Sequence, residues 1–436
     1  MTTESAEREL DIVIWGATGF TGEIAVAYLK GDQSKIGSFE LAGFAPSNLR
    51  WAICGRNLEK LEALKAGVEI IVCDSEDTEK IDSFVKRARV VIGMAGPFFR
   101  YSDKVVRSCA KNGTHWCDIS GEVPWMRALI DRYEEDALAS GAVIINQCGY
   151  DSIPSDIGTY LAVKELQKKI KGNQESESLI RRVTCYQMGL EGIGGGSLQT
   201  MMDYSPIPEE IAGNFDPTDP FLLGGEPEGG IREEDQPAQD ASFDNDLEAW
   251  IAPFSMAEVN RRIVHRSNMQ LSYGPRFNYQ EFEICHGERD ARKLAERISK
   301  TASPGFFQSL IEEGKLPRPG QGPALEERSL RRFLSVIIAE SEAGEKTALT
   351  LSGGDAAFEE TARMVVNAGI ALALDLGREN KDSLRGGFYT PAAGLGHSLV
   401  SRLAWAGLEI DIFSGEKGSE TSWVREKIAD FKLVDK

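Results

Sequence analysis

The sequence predicts an α/β fold: a doubly wound parallel sheet joined to a second, α+β domain. Three observations carry this. The chain opens on a strand, a glycine turn and a helix. Strand-like and helix-like runs then alternate six times within the first ~150 residues, as a parallel sheet with crossover helices requires. Further on, two strand-like runs flank a short turn, the pattern of antiparallel pairing. A length of 436 residues fits two domains. We place the first at 1–160, a substrate or oligomerisation domain at 161–385, and a C-terminal segment returning to the first domain at 386–436.

The opening unit is the strongest local signal. Leu10, Ile12, Val13, Ile14 and Trp15 form the apolar run of a buried parallel strand. Gly16, Gly19 and Gly22 follow at G-x-x-G-x-x-G spacing, and Ile24 to Leu29 reads as a helix. This is the Rossmann-type dinucleotide turn. Gly16 allows the tight exit from the strand, Gly19 keeps side chains off a pyrophosphate, and Gly22 lets the helix approach the sheet. Amides at the helix N-terminus then face the phosphates. Ala17, Thr18, Phe20 and Thr21 complete the loop, the threonines adding hydroxyl donors.

The second strand is Arg50–Cys54, followed by Gly55 and Arg56. An NAD enzyme usually places an acid here to bind the ribose 2′-hydroxyl. Arg56 stands there instead, and a guanidinium suits a 2′-phosphate. NADP, as NADPH, is therefore favoured over NAD; the alternative is a surface arginine with no cofactor contact. The third strand, Val68–Cys73, ends at Asp74, which either flanks the adenine or caps the following helix. The fourth, Val90–Ala95, runs into Gly96 and Pro97, leaving bare backbone for the phosphates and nicotinamide ribose. His115–Ile119 is the fifth, with His115 read as structural. The sixth, Ala142–Gln147, opens into Cys148, Gly149, Tyr150 and Asp151. Ligand should lie at the carboxyl ends of these strands. Tyr150 and Asp151 are the candidate proton carriers there, while Asp151 also fits a helix cap before Ile153 and Pro154. Tyr160 and Lys164 match Y-x-x-x-K by spacing, without the serine that would make it catalytic.

The net charge of −19 is uneven. Residues 203–248 hold 14 acidic side chains against the single Arg232. This acidity argues against a nucleic-acid partner, and the Pro- and Gly-rich stretch is expected to be a mobile excursion serving as a lid. No apolar run is long enough for a membrane span. The polar start, MTTESAERE, carries no leader signal, so a cytoplasmic protein is expected. Seven scattered cysteines show no metal-ligand spacing and read as reduced, buried thiols.

Several stretches together resemble the saccharopine dehydrogenase-like oxidoreductases, a family that includes mycobacterial trans-acting enoyl reductases and a vertebrate lipid-droplet-associated relative. They are DIVIWGATGFTGEIAVAYL, WAICGRNLEKLEAL, GPFFRYSDKVVRSCAKNGTHWCDISGE and CGYDSIPSDIG, then PFSMAEVNRRIVHRSN, LSGGDAAFEETARMV and FYTPAAGLGHSL. They cover most of the chain outside 203–248. The resemblance implies a Rossmann domain, a second α+β domain, NADP binding and, more loosely, hydride transfer; a small-molecule or lipid substrate and a peripheral contact with a membrane or lipid droplet are candidates beside it. A homodimer is a further candidate partner arrangement. It does not imply saccharopine as substrate.

In the second half, Val183–Gly189, Tyr279–Ile284, Phe333–Ala339 and Thr347–Leu351 read as strands. Gly192–Ser197 reads as a plain glycine turn. Ala356–Leu376 reads as a long helix that either lines an acyl pocket or belongs to the core. Arg261, Arg262, His265 and Arg266 form a basic cluster, suited to an anionic head group or to a solvated face. Three functions follow. The first is an NADP-dependent reductase of an enoyl or carbonyl group on a lipid or acyl substrate. The second is an amino-acid or imine dehydrogenase, for which that basic cluster is the substrate clamp. The third is a non-catalytic NADP-binding protein at a lipid surface.

Overall fold

The computed structural model describes residues 8–41, 46, 48–171, 179–189, 211, 213, 215–230, 232–233, 236, 238–301, 306–313, 321–376 and 384–434. Two seven-stranded sheets organise the chain. The first takes β1 (Leu10–Trp15), β2 (Trp51–Gly55), β3 (Glu69–Val72), β4 (Ala88–Gly93), β5 (His115–Asp118) and β6 (Val143–Ile145). Their order from the edge is β6-β5-β4-β1-β2-β3, all parallel. This is the expected doubly wound α/β sheet. Every residue of β1 is buried, as a strand covered on both faces demands.

The connecting helices are α1 (Phe20–Lys30), α2 (Leu58–Ala63), α3 (Thr78–Arg87), the short α4 (Phe98–Tyr101), α5 (Asp103–Asn112) and α6 (Val123–Ser140). Local chemistry sets their ends. Asn57 and Asp77 accept the Lys60 and Lys80 amides as N-caps. Gly31 and Gly141 close α1 and α6 in the left-handed conformation. α7 (Ile153–Lys171) leaves the sixth strand and packs on the second sheet.

That second sheet has the order β14-β12-β11-β7-β10-β9-β8. Its strands are β7 (Ile180–Met188), β8 (Ser242–Asp244), β9 (Ala249–Pro253), β10 (Asn278–Cys285), β11 (Phe333–Ser341), β12 (Lys346–Gly353) and β14 (Glu409–Ile412). Only β7 and β10 pair in parallel; the other neighbours are antiparallel. Its helices are α8 (Ala257–Leu271), α9 (Glu288–Thr301), α10 (Phe306–Glu312) and α11 (Leu325–Ser329). Gly344, at φ +77°, makes the β11–β12 turn.

The last third of the chain serves both sheets. α12 (Thr361–Leu374) follows β12, crosses to the first sheet and packs on β1, β4 and β5. Thr361 to Ala373 are all buried, so the helix is core and not pocket wall. Gly369 lies so close to Ile92 that a side chain there would overlap it. Asn367 donates to the Tyr28 hydroxyl of α1 at 2.9 Å. β13 (Gly387–Tyr389) then adds to β6 in parallel as the seventh strand of the first sheet. α13 (Pro391–Gly394), α14 (Gly396–Trp405) and α15 (Glu420–Val434) complete the chain.

A buried ion pair anchors this crossing. Arg363 pairs with Glu360, donates to the Ala406 carbonyl at 3.0 Å and lies 4.0 Å over the Phe39 ring. Removing one partner of such a pair strands the other charge away from water. Arg363→Met is expected to cost about 3–5 kcal/mol, read by chemical denaturation.

The expectation of a mobile excursion over 203–248 fails for its described part. Phe221, Leu222 and Leu223 are buried, the latter two against Val123, Met126 and Ile263. An apolar triplet inside an acidic stretch is what ties it down. The glycine turn at 192–197 and the polar stretch at 172–178 lie outside the described residues. So does part of the acidic excursion.

Candidate active site

The carboxyl ends of β1, β4, β5 and β6 bring four loops together. In the first, Gly16 has φ +84°, and a side chain there would come within 2.7 Å of the Ala95 nitrogen. A side chain on Gly22 would overlap the Gly16 carbonyl. Both glycines are thus required by the protein's own packing. Gly19 differs: at φ −76° it is the N-cap of α1, and an added carbon would meet nothing nearer than 3.4 Å. No side chain caps that helix. An open helix start of this kind is suited to an anion.

Phe20 is held from outside the loop. Its ring packs edge-on to Phe358 at 5.1 Å and under the Arg328 guanidinium at 5.5 Å. Ala17 is buried, while Thr18 and Thr21 are partly open. Arg56 is exposed just past β2, with its guanidinium 5.8 Å over the Tyr101 ring. Among the described residues it makes no hydrogen bond or ion pair, leaving its donors free for a phosphate. Asp74 is exposed at the end of β3 and accepts the Glu76 amide at 2.9 Å; the helix cap is Asp77.

The second loop lies against the first. Trp15 accepts the Met94 amide at 2.8 Å, which brings Ala95, Gly96 and Pro97 beside the glycine turn. Behind them the Glu122 carboxylate accepts the Phe98 and Phe99 amides at 2.7 and 2.9 Å. Asp118 joins the third and fourth loops. It accepts from the Trp116 indole and Asn146 at 2.7 Å, and from the Ser120 and Gln147 amides at 3.0 and 3.2 Å. Burial pushes its carboxyl up to about 6 against these four donors. Gln147 is held at φ +61°, a strained conformation for a non-glycine residue. Neither Asp118 nor Glu122 was singled out from sequence. Their acceptor roles depend on amides from other loops and leave no local pattern.

Cys148 is fully buried, and Gly149 fits between Thr361 and Ile119. The structure parts Tyr150 from Asp151. The Tyr150 ring is buried against Phe333 at 4.8 Å, with its hydroxyl 3.2 Å from the Gln187 Oε1. Burial drives its phenol well above the ordinary range, so it is placed to hold structure. Asp151 is partly open, and one of its oxygens would lie 4.0 Å from a side-chain carbon on Gly121, which Met256 also faces. Among the described residues its carboxylate accepts no hydrogen bond, so it caps no helix. Burial alone pushes it up to about 6.

The other candidates are occupied elsewhere. His115 accepts the Val143 amide at 3.0 Å, and burial lowers it to about 4, the structural part expected. Tyr160 lies beside Gly396, with Lys164 over its ring. Two of the four members of the basic cluster, Arg262 and Arg266, are tied to main-chain carbonyls, while the buried Arg261 lies 3.4 Å from Glu258. Arg262 donates to the Asp219 and Pro217 carbonyls, each at 2.9 Å. Arg266 donates to those of Leu223 and Phe388, also at 2.9 Å. His265 is buried between Phe221 and Phe277. All seven cysteines are free and buried. No described helix is long and apolar enough to cross a membrane.

Comparison with known proteins gives the family and the fold. A family model described as the saccharopine dehydrogenase NADP binding domain matches residues 12–145. The trans-acting enoyl reductase of Mycobacterium tuberculosis is 31% identical, over 92% of this chain and 97% of its own. That of Mycobacterium leprae is 29% identical, over 93% and 98%. Among solved structures, saccharopine dehydrogenase (L-Glu forming) from Saccharomyces cerevisiae superposes with a TM-score of 0.51. It is 13% identical and covers 93% of this chain and 100% of its own, a likeness of fold.

Proposed function

Since the chain belongs to the saccharopine dehydrogenase-like family of the trans-acting enoyl reductases, and is an NADP-dependent oxidoreductase, we propose that it reduces an enoyl group on an acyl- or lipid-type substrate. Asp151 carries this reading: a partly open carboxyl at the strand ends, which accepts no hydrogen bond among the described residues and which burial keeps protonated to higher pH than usual. The residues fit the cofactor. Gly16 to Gly22 with the open α1 terminus would hold its diphosphate, Arg56 its 2′-phosphate, and Ala95 to Pro97 the nicotinamide ribose. NADPH, when bound, supplies the hydride. Asp151 holds the proton that the substrate carbon must gain at the same time. We assign cofactor binding to 1–160 with the strand returned by 386–436, and the substrate to 161–385.

The imine reading is disfavoured by the basic cluster. An amino-acid substrate needs cations for its carboxylates, and Arg262 and Arg266 spend their donors on main-chain carbonyls. The deciding experiment is NADPH oxidation with a medium-chain trans-2-enoyl thioester, and in parallel with an α-keto acid plus an amino acid. Turnover of the thioester alone is expected; turnover of the imine mixture alone would reverse the assignment. Arg56→Ala should weaken NADPH roughly 10- to 100-fold in equilibrium titration while NADH changes little.

A further inference from the structure

Among the described residues Asp151 makes no side-chain hydrogen bond of its own, so its direction is set by the residues on either side. Both reach into the second domain, one to its sheet and one to α8. On one side, Tyr150 donates to the Gln187 Oε1 at 3.2 Å. On the other, Ser152 donates to the Asn260 Oδ1 at 2.8 Å. Gln187 lies on β7, Asn260 on α8, and both side chains converge on one carboxylate on β10. Gln187 donates to the Glu281 Oε1 at 2.8 Å, and Asn260 to its Oε2 at 2.9 Å. Ser155 adds a third donor to Oε1 at 2.8 Å. All six side chains are buried, so no solvent competes for these bonds.

We propose that Glu281 is the pivot of a two-armed clamp, Gln187 gripping Tyr150 and Asn260 gripping Ser152, that positions Asp151 for proton transfer. It rests on the reading of Asp151 as proton donor. The polarity of the bonds is what gives the clamp its direction. Glu281 offers acceptors only, so each amide must turn its nitrogen inward and its oxygen outward to the hydroxyl it holds. A glutamine at 281 keeps the shape but sets one NH2 against an inward-facing amide nitrogen. That neighbour must then flip and turn its NH2 to a hydroxyl that has to accept instead of donate, which resets that arm's geometry. A group of polar residues in the core costs stability relative to apolar packing, and holding a reactive side chain is a return for that cost.

The test combines Glu281→Gln, Ser152→Ala and Tyr150→Phe, assayed with NADPH and a medium-chain trans-2-enoyl thioester. Glu281→Gln and Ser152→Ala should each lower kcat roughly 10- to 100-fold, as misplacement of a catalytic group does. NADPH affinity, set at the glycine loop, should stay unchanged. The fall of rate with pH that Asp151 produces should move, and Glu281→Gln with Tyr150→Phe should be non-additive. A purely structural web would lower the Tm of all three variants and leave kcat and the pH profile of the folded enzyme as they were; that result overturns the clamp. If Asp151→Asn itself leaves rate and pH profile intact, the proton-donor reading fails instead. If Asp151→Asn abolishes turnover while Glu281→Gln does not, the clamp alone is wrong.

Discussion

Replacing Asp151 with asparagine is expected to cut kcat by roughly 10²- to 10⁴-fold, the usual worth of a positioned general acid. The sign of the pH dependence follows from its shift. Burial raises its pKa to about 6, so the protonated, donating form prevails below that value. Turnover should therefore fall about tenfold per pH unit as pH rises past about 6. Asp151→Asn should flatten that limb. Asp118 also titrates near 6, but its oxygens are filled by four donors and it is fully buried. A limb that persists in Asp151→Asn would therefore shift attention to Asp118. NADPH affinity should not change in the Asp151 variant, which separates chemistry from binding in one titration.

The second large effect concerns the glycine loop. Gly19→Val should fold normally, since φ −76° suits any residue and the nearest atom to its first carbon is 3.4 Å away. It should nevertheless lose NADPH binding by more than 100-fold, because a branched side chain on the helix cap displaces a phosphate from the amides. Gly16→Ala and Gly22→Ala should behave otherwise. Their side chains would strike Ala95 and the Gly16 carbonyl, so both should lose stability before binding can be judged. Thermal melts with and without NADPH distinguish the cases. A Gly19→Val protein that binds NADPH as well as wild type would remove the phosphate site from this loop.

Much of this was readable in the sequence because it is local. Buried parallel strands announce themselves as short apolar runs, and the glycine spacing, Arg56 and Asp151 stand where those runs end. What escaped depends on contacts between distant residues. Nothing near Ala362 or Val366 tells whether the helix covers one sheet or the other; that is decided by Tyr28 and Ile92, far away in the chain. The cluster of Arg261, Arg262 and Arg266 reads as a charged face because charged side chains are mostly exposed. The placement of Arg262 and Arg266 depends on carbonyls offered from residues 217–223 and from Phe388, and Arg261 pairs with Glu258. Acidic composition hid the Phe221 to Leu223 anchor and strand β8. Tyr150 and Asp151 are neighbours in sequence, so no pattern could show that one is buried in the core and the other partly open beside Gly121.

The route of α12 and β13 bears on how this protein can be made and divided. A ribosome releases residues 8–160 long before it reaches Thr361. Until then the nascent nucleotide-binding half lacks the helix that covers part of one apolar face, over β4 and β5, and its β6 border is unpaired. Such a piece, expressed alone, would present a sticky surface and an open strand for other chains to join. The half that grips NADPH is therefore no transplantable module; it is finished only by the last hundred residues of the polypeptide.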